Sequence, residues 1–315
     1  MSDQGQQGQN DQWLRKVSLI VADSSGAGLD LSELRIHFKI SQSDFETPNS
    51  AEIRVFNLSQ DTAQKIRKEY TSVTLQAGYQ SGAFGIIFQG TIKQVRIGRQ
   101  DQTDTYLDIF ASDSDEVYNF GTINQSITAG TSPNDQIDQI AKAIGAQKGT
   151  IQFNTGLQDN IRGKVLYGMG RIQLRTLART GLASWSLQNG KITMVPLTGY
   201  AKGEAVVINS QTGMVGLPQQ TEDGVTVQCL LNPKIVIGTQ VQLNEGTVQR
   251  AQVSLNLSSV NQTEAAFPPV PTDGFYYAMV VEHEGDTRDN EYYSTLTCLT
   301  VDKTAPAGNS VQSAG

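Results

Sequence analysis

At 315 residues the chain is too long for one small core, and two or three domains are expected. Its formal net charge of −7 argues against a protein that grips DNA by the phosphates, since that needs lysine and arginine to displace counterions. The two cysteines, Cys229 and Cys298, lie in apolar strand-like runs, so small buried thiols are expected rather than a disulfide framework.

The opening "MSDQGQQGQND" lacks the basic and apolar regions of a signal peptide, and residues 1–11 are expected to be flexible. No window approaches the ~20 apolar residues of a membrane span, so a soluble chain made in a cytoplasm is expected. "ELRIHFKI" alternates, with Leu34, Ile36, Phe38 and Ile40 on one face and His37 on the other. "AEIRVFNL" reads as a second strand beyond the break at Pro48. Ser59 caps a short helix with Ala63 and Ile66 inward. "SVTLQAG" is a third strand, and "GIIFQGTIKQVRIG" and "TDTYLDIFAS" form a long hairpin.

The character changes after Asp115. "TSPNDQIDQIAKAIG" carries a full set of helix signals: Thr131 or Ser132 as cap, Pro133 at the first turn and Gly145 at the end. "GRIQLRTLART" is a second helix, with Ile172, Leu174, Leu177 and Ala178 as its apolar residues. "ASWSLQNGKITMVPL" is a hairpin whose Asn189-Gly190 turn suits type I′ geometry. From Ala205 the pattern is β again: "AVVIN", "GVTVQCLL", "IGTQVQL", "AQVSLNL", "FYYAMVVEH" and "YYSTLTCLTVD". The resulting division is 1–11 flexible, 12–115 β, 116–204 a small α/β module, 205–303 β, and 304–315 a flexible tail.

The two β blocks follow one plan. "IRVFNLS", "VTLQAG" and the hairpin "FQGTIKQV…TYLDIFASD" correspond to "VTVQCLLNP", "TQVQLNEG" and "YYAMVVEH…YYSTLTCLTVD". Each ends at an aspartate, Asp113 or Asp302.

Candidate chemistry is sparse. His283, Glu284, Asp286 and Asp289 read as the polar tip of a hairpin, with Tyr277, Met279, Val281 and His283 sharing one strand face. A zinc site would need more histidine or cysteine than His37 supplies, and Asp286, Asp289 and Glu291 lack the spacing of a calcium loop. Asp113 and Asp115 are the acid–base candidates, read as solvated acids. Trp185 is read as a core anchor. "KIRKEY" is a solvated basic face or, on the sharper reading, a contact with an acidic neighbouring subunit. "YGMGRIQLR" lacks the third glycine of a dinucleotide fingerprint. No catalytic residue, cofactor site or metal site is therefore assigned.

"FETPNSAEIRVFNLS", "FQGTIKQV", "VLYGMGR…LRTLARTGLASWSLQNGKITMVP", "INSQTGMVGLPQQTEDGVTVQCLLNP" and "VVEHEGDTRDNEYYSTLTC" together resemble the baseplate hub proteins of contractile-tailed bacteriophages. The resemblance runs over residues 14 to 302. It implies a mainly β, α+β chain with two tail-tube-like antiparallel β-barrel domains flanking a small α/β module. It further implies a homotrimer whose pseudo-sixfold ring adapts a threefold central spike to a sixfold tail tube. The implied partners are the spike, the tail tube or tube-initiator protein, the tape measure protein and surrounding baseplate proteins, in a virion assembled in the host cytoplasm. DNA would pass through the lumen without specific binding. On this reading the hairpin tip Gly285–Asn290 is expected to dock on a neighbouring subunit. The competing readings are a tail-associated cell-wall hydrolase, the tube-like part of a type VI secretion spike, and a carbohydrate-binding β-sandwich, which the low aromatic content disfavours.

Overall fold

The computed structural model describes residues 12–300, apart from 155, 198, 202, 222, 245–247 and 250–273. The expectations for residues 1–11, "AQVSLNL", Asp302 and the tail lie outside the described residues.

The first block comprises β1 (Arg15–Asp23), β2 (Gly28–Asp30), β3 (Ile36–Ser43), β4 (Ser50–Phe56), α1 (Gln60–Glu69), β5 (Tyr70–Tyr79), β6 (Phe84–Arg99) and β7 (Thr105–Ser112). The middle comprises α2 (Asp115–Phe120), β8 (Thr122–Ile127), α3 (Pro133–Ile144), β9 (Gln147–Ile151), β10 (Lys164–Met169), α4 (Gly170–Thr180), β11 (Ala183–Gln188) and β12 (Lys191–Pro196). The last block holds β13 (Val206–Val207), β14 (Met214–Thr221), β15 (Gly224–Leu230), β16 (Gln240–Gln242), β17 (Phe275–Asp286) and β18 (Tyr292–Thr300). The chain is mainly β with α+β content.

Local signals explain many of these elements. In β3 the apolar residues Ile36, Phe38 and Ile40 are buried, and the residues between them face outward. The Ser59 side chain accepts the Thr62 N–H and starts α1, which buries Ala63 and Ile66. Ser132 accepts the Asp135 N–H to start α3, and Gly145 at φ 77° ends it. In α4 the buried stripe is Leu174, Leu177 and Ala178; Ile172 falls outside its 3.6-residue period and is exposed.

Among the described residues thirteen strands share one sheet. Its main path is β14-β15-β18-β17-β3-β4-β7-β6-β5-β1-β2, with β16 added to β17 and β13 to β16. Within one chain the sheet is not closed into the two barrels expected. β17 pairs antiparallel with β3 from Val280↔Ser43 to Asp286↔His37, and this joins both blocks into one open sheet. An unpaired β3 edge would leave a row of backbone polar groups exposed, and β17 covers it. The sheet curls, so that Leu19 and Val21 of β1 and Val73 and Leu75 of β5 share a core with Phe38, Ile40, Ile53 and Val55. A second core packs α3 and α4 on β11 and β12, with Trp185 inside as expected. A third lies under β15, β17 and β18 and contains both cysteines as free thiols.

The repeat holds strand for strand. β4-β7-β6-β5 in the first block matches β15-β18-β17-β16 in the last, each pair antiparallel. Both hairpins carry a β-bulge at the same place, between Ile92 and Gln94 in β6 and between Ala278 and Val280 in β17. Counted from the bulge, the registers coincide. Ser72 opposes Thr91 as Gln240 opposes Tyr277, and Ala51 opposes Ala111 as Val225 opposes Cys298.

The bulge also corrects the expected face of His283. One inserted residue reverses the inward–outward phase. Val281 therefore joins the core of Tyr276 and Ala278, whereas Tyr277 and Met279 pack in a separate cluster with Val195 and Leu299.

Candidate functional site: the polar face of the long sheet

One face of the joined sheet lies on the main cores; the other carries an apolar cluster with Val195 where Tyr277 opposes Leu299 and is mostly polar along the rows that follow. Cross-strand registers build the polar face row by row. One row runs Gln228, Thr295, Glu282, Ser41, Ser50 and Ser112. The next runs Tyr293, Glu284, Lys39, Glu52, Phe110 and Gln94. A third runs Asp286, His37, Arg54, Asp108 and Arg96. The rows cross from the last block into the first without interruption, because β17 and β3 are neighbours.

Opposite charges face one another along these rows. Lys39 stands between Glu52 and Glu284, and Asp108 between Arg54 and Arg96. Such cross-strand pairs contribute about 0.2–1 kcal/mol each. The Arg54–Asp108 pair is the tightest, with Nε–Oδ1 at 2.7 Å and Nη2–Oδ2 at 3.1 Å. The Asp108 bond holds the Arg54 guanidinium above its ordinary pKa, and the guanidinium stacks 4.2 Å from the centroid of the Tyr106 ring. Lys39, Arg54 and Arg96 are thus balanced by Glu52, Asp108, Glu282 and Glu284. A wall of this composition offers no continuous basic track for phosphates.

The residues of the hairpin tip separate into distinct roles. His283 is 1% exposed on the core side, where Nδ1 lies 2.8 Å from Ser294 Oγ. Desolvation pulls its pKa down to about 4, so the ring is neutral at pH 7. Asp286 forms a bidentate pair with Arg35 and accepts the N–H groups of Arg288 (2.8 Å) and Asp289 (3.1 Å). Burial pushes this carboxyl up, but those bonds outweigh it and hold it below its usual value. Arg15 donates to the carbonyls of Asp286, Asp289 and Asn290. Thr287 and Ile36 exchange bonds at 2.9 and 3.0 Å. The tip expected to reach a neighbouring subunit is therefore engaged by β1 and β3 of its own chain.

His37, not His283, joins the exposed acids. His37 Nε2 lies 3.4 Å from Glu291, and His37, Glu284 and Glu291 offer ligand atoms within 4.8 Å of one another. Sequence spacing carries no sign of this trio, because its members come from three different strands or their ends. Glu284 also faces Lys39 at 4.0 Å.

Asp113 and Asp115 have structural partners. Asp113, 1% exposed, accepts the backbone N–H groups of Asn189 and Gly190, the latter at 3.0 Å. Asn189 and Gly190 have φ of 51° and 79°, the type I′ turn expected, and the turn is thereby plugged into the first block. Burial raises the Asp113 pKa despite these bonds. Asn49 adds bonds to Leu187 O and Gln188 Oε1, and Arg175 of α4 pairs with Glu46. Asp115 pairs with Lys93. Replacing Asp113 by asparagine sets an amide N–H against a backbone donor. A cost of about 1–3 kcal/mol is expected, read as faster hydrogen exchange in β11 and β12. Unchanged exchange there would remove Asp113 as the anchor.

Among the described residues no helix is long and apolar enough to cross a membrane. No curated protein matches the chain. Several solved structures share its fold at low identity. A 43 kDa tail protein of prophage MuSo2 from Shewanella oneidensis is 8% identical with a TM-score of 0.57, over 93% of this chain and 99% of that one. A tail protein from Neisseria meningitidis MC58 is 10% identical with a TM-score of 0.55, over 91% and 96%. The Escherichia coli c3393 protein is 11% identical with a TM-score of 0.52, over 93% and 79%. It is described as a type VI secretion system component with structural similarity to the T4 bacteriophage tail proteins gp27 and gp5. Residues 14–246, well over half of the chain, match the family described as Baseplate hub gp41, and the chain belongs to that family of phage baseplate hub proteins.

Proposed function

We propose that three copies of the chain form a ring that joins a threefold central spike to a sixfold tail tube, with the polar face of the long sheet lining its channel. The observation that carries this reading is the repeat. Two units with the same strand order, bulge position and register stand side by side in one chain, so three chains would present six similar units. The division at 12–115, 116–204 and 205–303 follows from the same plan, with each β unit completing a tube-like barrel only in the ring. The lumen assignment rests on the charge-balanced rows, which would let DNA pass without adhering. The chain acts mechanically, not as an enzyme, within the virion baseplate, and its partners are the spike, the tube or its initiator, the tape measure protein and the surrounding baseplate.

Light scattering is expected to give about 102 kDa, three times the 34.1 kDa chain, and end-on class averages a six-lobed ring. A monomer or dimer at all concentrations would overturn the reading. The likeness to c3393 favours a second one, the tube-like part of a type VI secretion spike. Co-purification with a secretion tube protein, and not with a phage tube protein, would select it.

A further inference from the structure

The two repeats differ in how their long hairpins are flanked. The distal part of β17, Val280–Asp286, has β18 on one edge and β3 on the other. The distal part of β6, Gln94–Arg99, has β7 on one edge. On its other edge β5 pairs only as far as Thr91, and beyond it no strand pairs among the described residues. Exposure records the difference. Counted from the bulge, Ile97 stands where β17 has His283, and they are 44% and 1% exposed.

At the far end of the sheet β14 holds the place of β3. Met214, Gln219, Gln220 and Thr221 oppose Cys229, Thr226, Val225 and Gly224, as Ile36, Lys39, Ile40 and Ser41 oppose Val55, Glu52, Ala51 and Ser50. Gly216, Leu217 and Pro218 stand where β3 has Phe38 alone. Leu217 is 48% exposed and Phe38 is 0% exposed. Within one chain β14 and β6 are separated by β15, β18, β17, β3, β4 and β7.

We propose, resting on the ring reading above, that β14 of one copy pairs antiparallel with the distal half of β6 of the next. The internal junction sets the register. There Ser41 opposes Glu282, Ile40 opposes His283 and Lys39 opposes Glu284. Transferred from the bulge, Thr221 opposes Arg96, Gln220 opposes Ile97, and Gln219 opposes Gly98. The faces agree with this register. Arg96 and Gln219 extend the polar rows, and Ile97 turns to the core side. The same β14 edge carries a short bridge, with Gln220 N–H donating to Gln249 O (2.9 Å) and Gln249 N–H to Pro218 O (2.8 Å). The incoming strand exchanges those two bonds for a ladder.

The test is cysteine crosslinking of the full chain. Directly opposed residues lie about 4.5–5.5 Å apart at Cα, within disulfide reach, and a two-residue slip moves them out of it. Arg96→Cys combined with Thr221→Cys is expected to crosslink on oxidation at least tenfold more than an offset control, Arg96→Cys combined with Gln219→Cys. Ile97→Glu is expected to keep the circular dichroism spectrum and lower the assembled fraction at least tenfold. A particle that assembles yet crosslinks no better than the control, or that tolerates Ile97→Glu, overturns this pairing and leaves the ring standing. A chain that stays monomeric at every concentration overturns both.

Discussion

Truncating Tyr292 to alanine is expected to lower the stability of the chain by about 3–5 kcal/mol. Tyr292 belongs to the last block by sequence, yet its ring sits in the core of the first, edge-on to Phe38 and Tyr79 with centroids 6.2 and 5.6 Å away. The Arg15 guanidinium covers it at 4.9 Å. Its hydroxyl accepts the Gly78 N–H at 2.9 Å and lies within hydrogen-bond distance of the carbonyls of Gly78 and Lys16. Tyr292→Phe keeps the ring and leaves that buried N–H without its partner, so about 1–3 kcal/mol is expected. Urea unfolding followed by circular dichroism measures both. A phenylalanine variant as stable as the parent would show that the ring of Tyr292, and not its hydroxyl, carries its contribution.

The second large effect is a pH dependence at His283. Its pKa in the folded chain is about 4, against 6.5 when free. Below pH 6.5 the unfolded chain takes up a proton that the folded chain refuses until about pH 4. The contribution is therefore fully present above pH 6.5 and is lost as pH falls toward 4, by about 3 kcal/mol. His283→Asn removes this titration and can still bond Ser294. Its stability should fall less than the parent's between pH 7 and pH 4.5, by about 2–3 kcal/mol. Asp44 runs the other way. Desolvation pushes it up to about 6, so its contribution is present below its free value and lost as pH rises through 6. That term is common to both proteins and cancels in the comparison. Parallel acid limbs in urea titrations would show that His283 is not the buried neutral group described.

Much of the fold is legible in the sequence because burial imposes a period on it. The alternation in β3, β4 and both long hairpins is visible as residues, and so are the caps at Ser59 and Ser132. β14 escapes such a reading, because Gly216 and Pro218 interrupt it. Both sit at the irregularity between Val215 and Gln219, where a strand tolerates them. β8 presents Thr122, Asn124 and Ser126 outward and carries little apolar signal. The repeat is readable, but its consequence is not. Periodicity shows the alternation on either side of the β17 bulge, misses the change of face the bulge makes between Ala278 and Val280, and says nothing about β3, about 240 positions earlier, as its neighbour. The polar face is legible only in part for the same reason: each strand announces its own outward residues, and the rows exist only once the pairing is known. The acids depart most clearly from expectation at Asp113, where the pattern suggests a solvated carboxylate and the fold holds a buried acceptor for the Asn189-Gly190 turn.

The β17·β3 junction has a consequence for how such a ring would come together and apart. That seam is tethered by the chain itself, so its closure is intramolecular and independent of protein concentration, while a seam between copies depends on concentration. In a closed ring the two kinds alternate. Dilution or mild denaturant should then open every second seam first, and the species released should be whole chains with their own half of the circle intact.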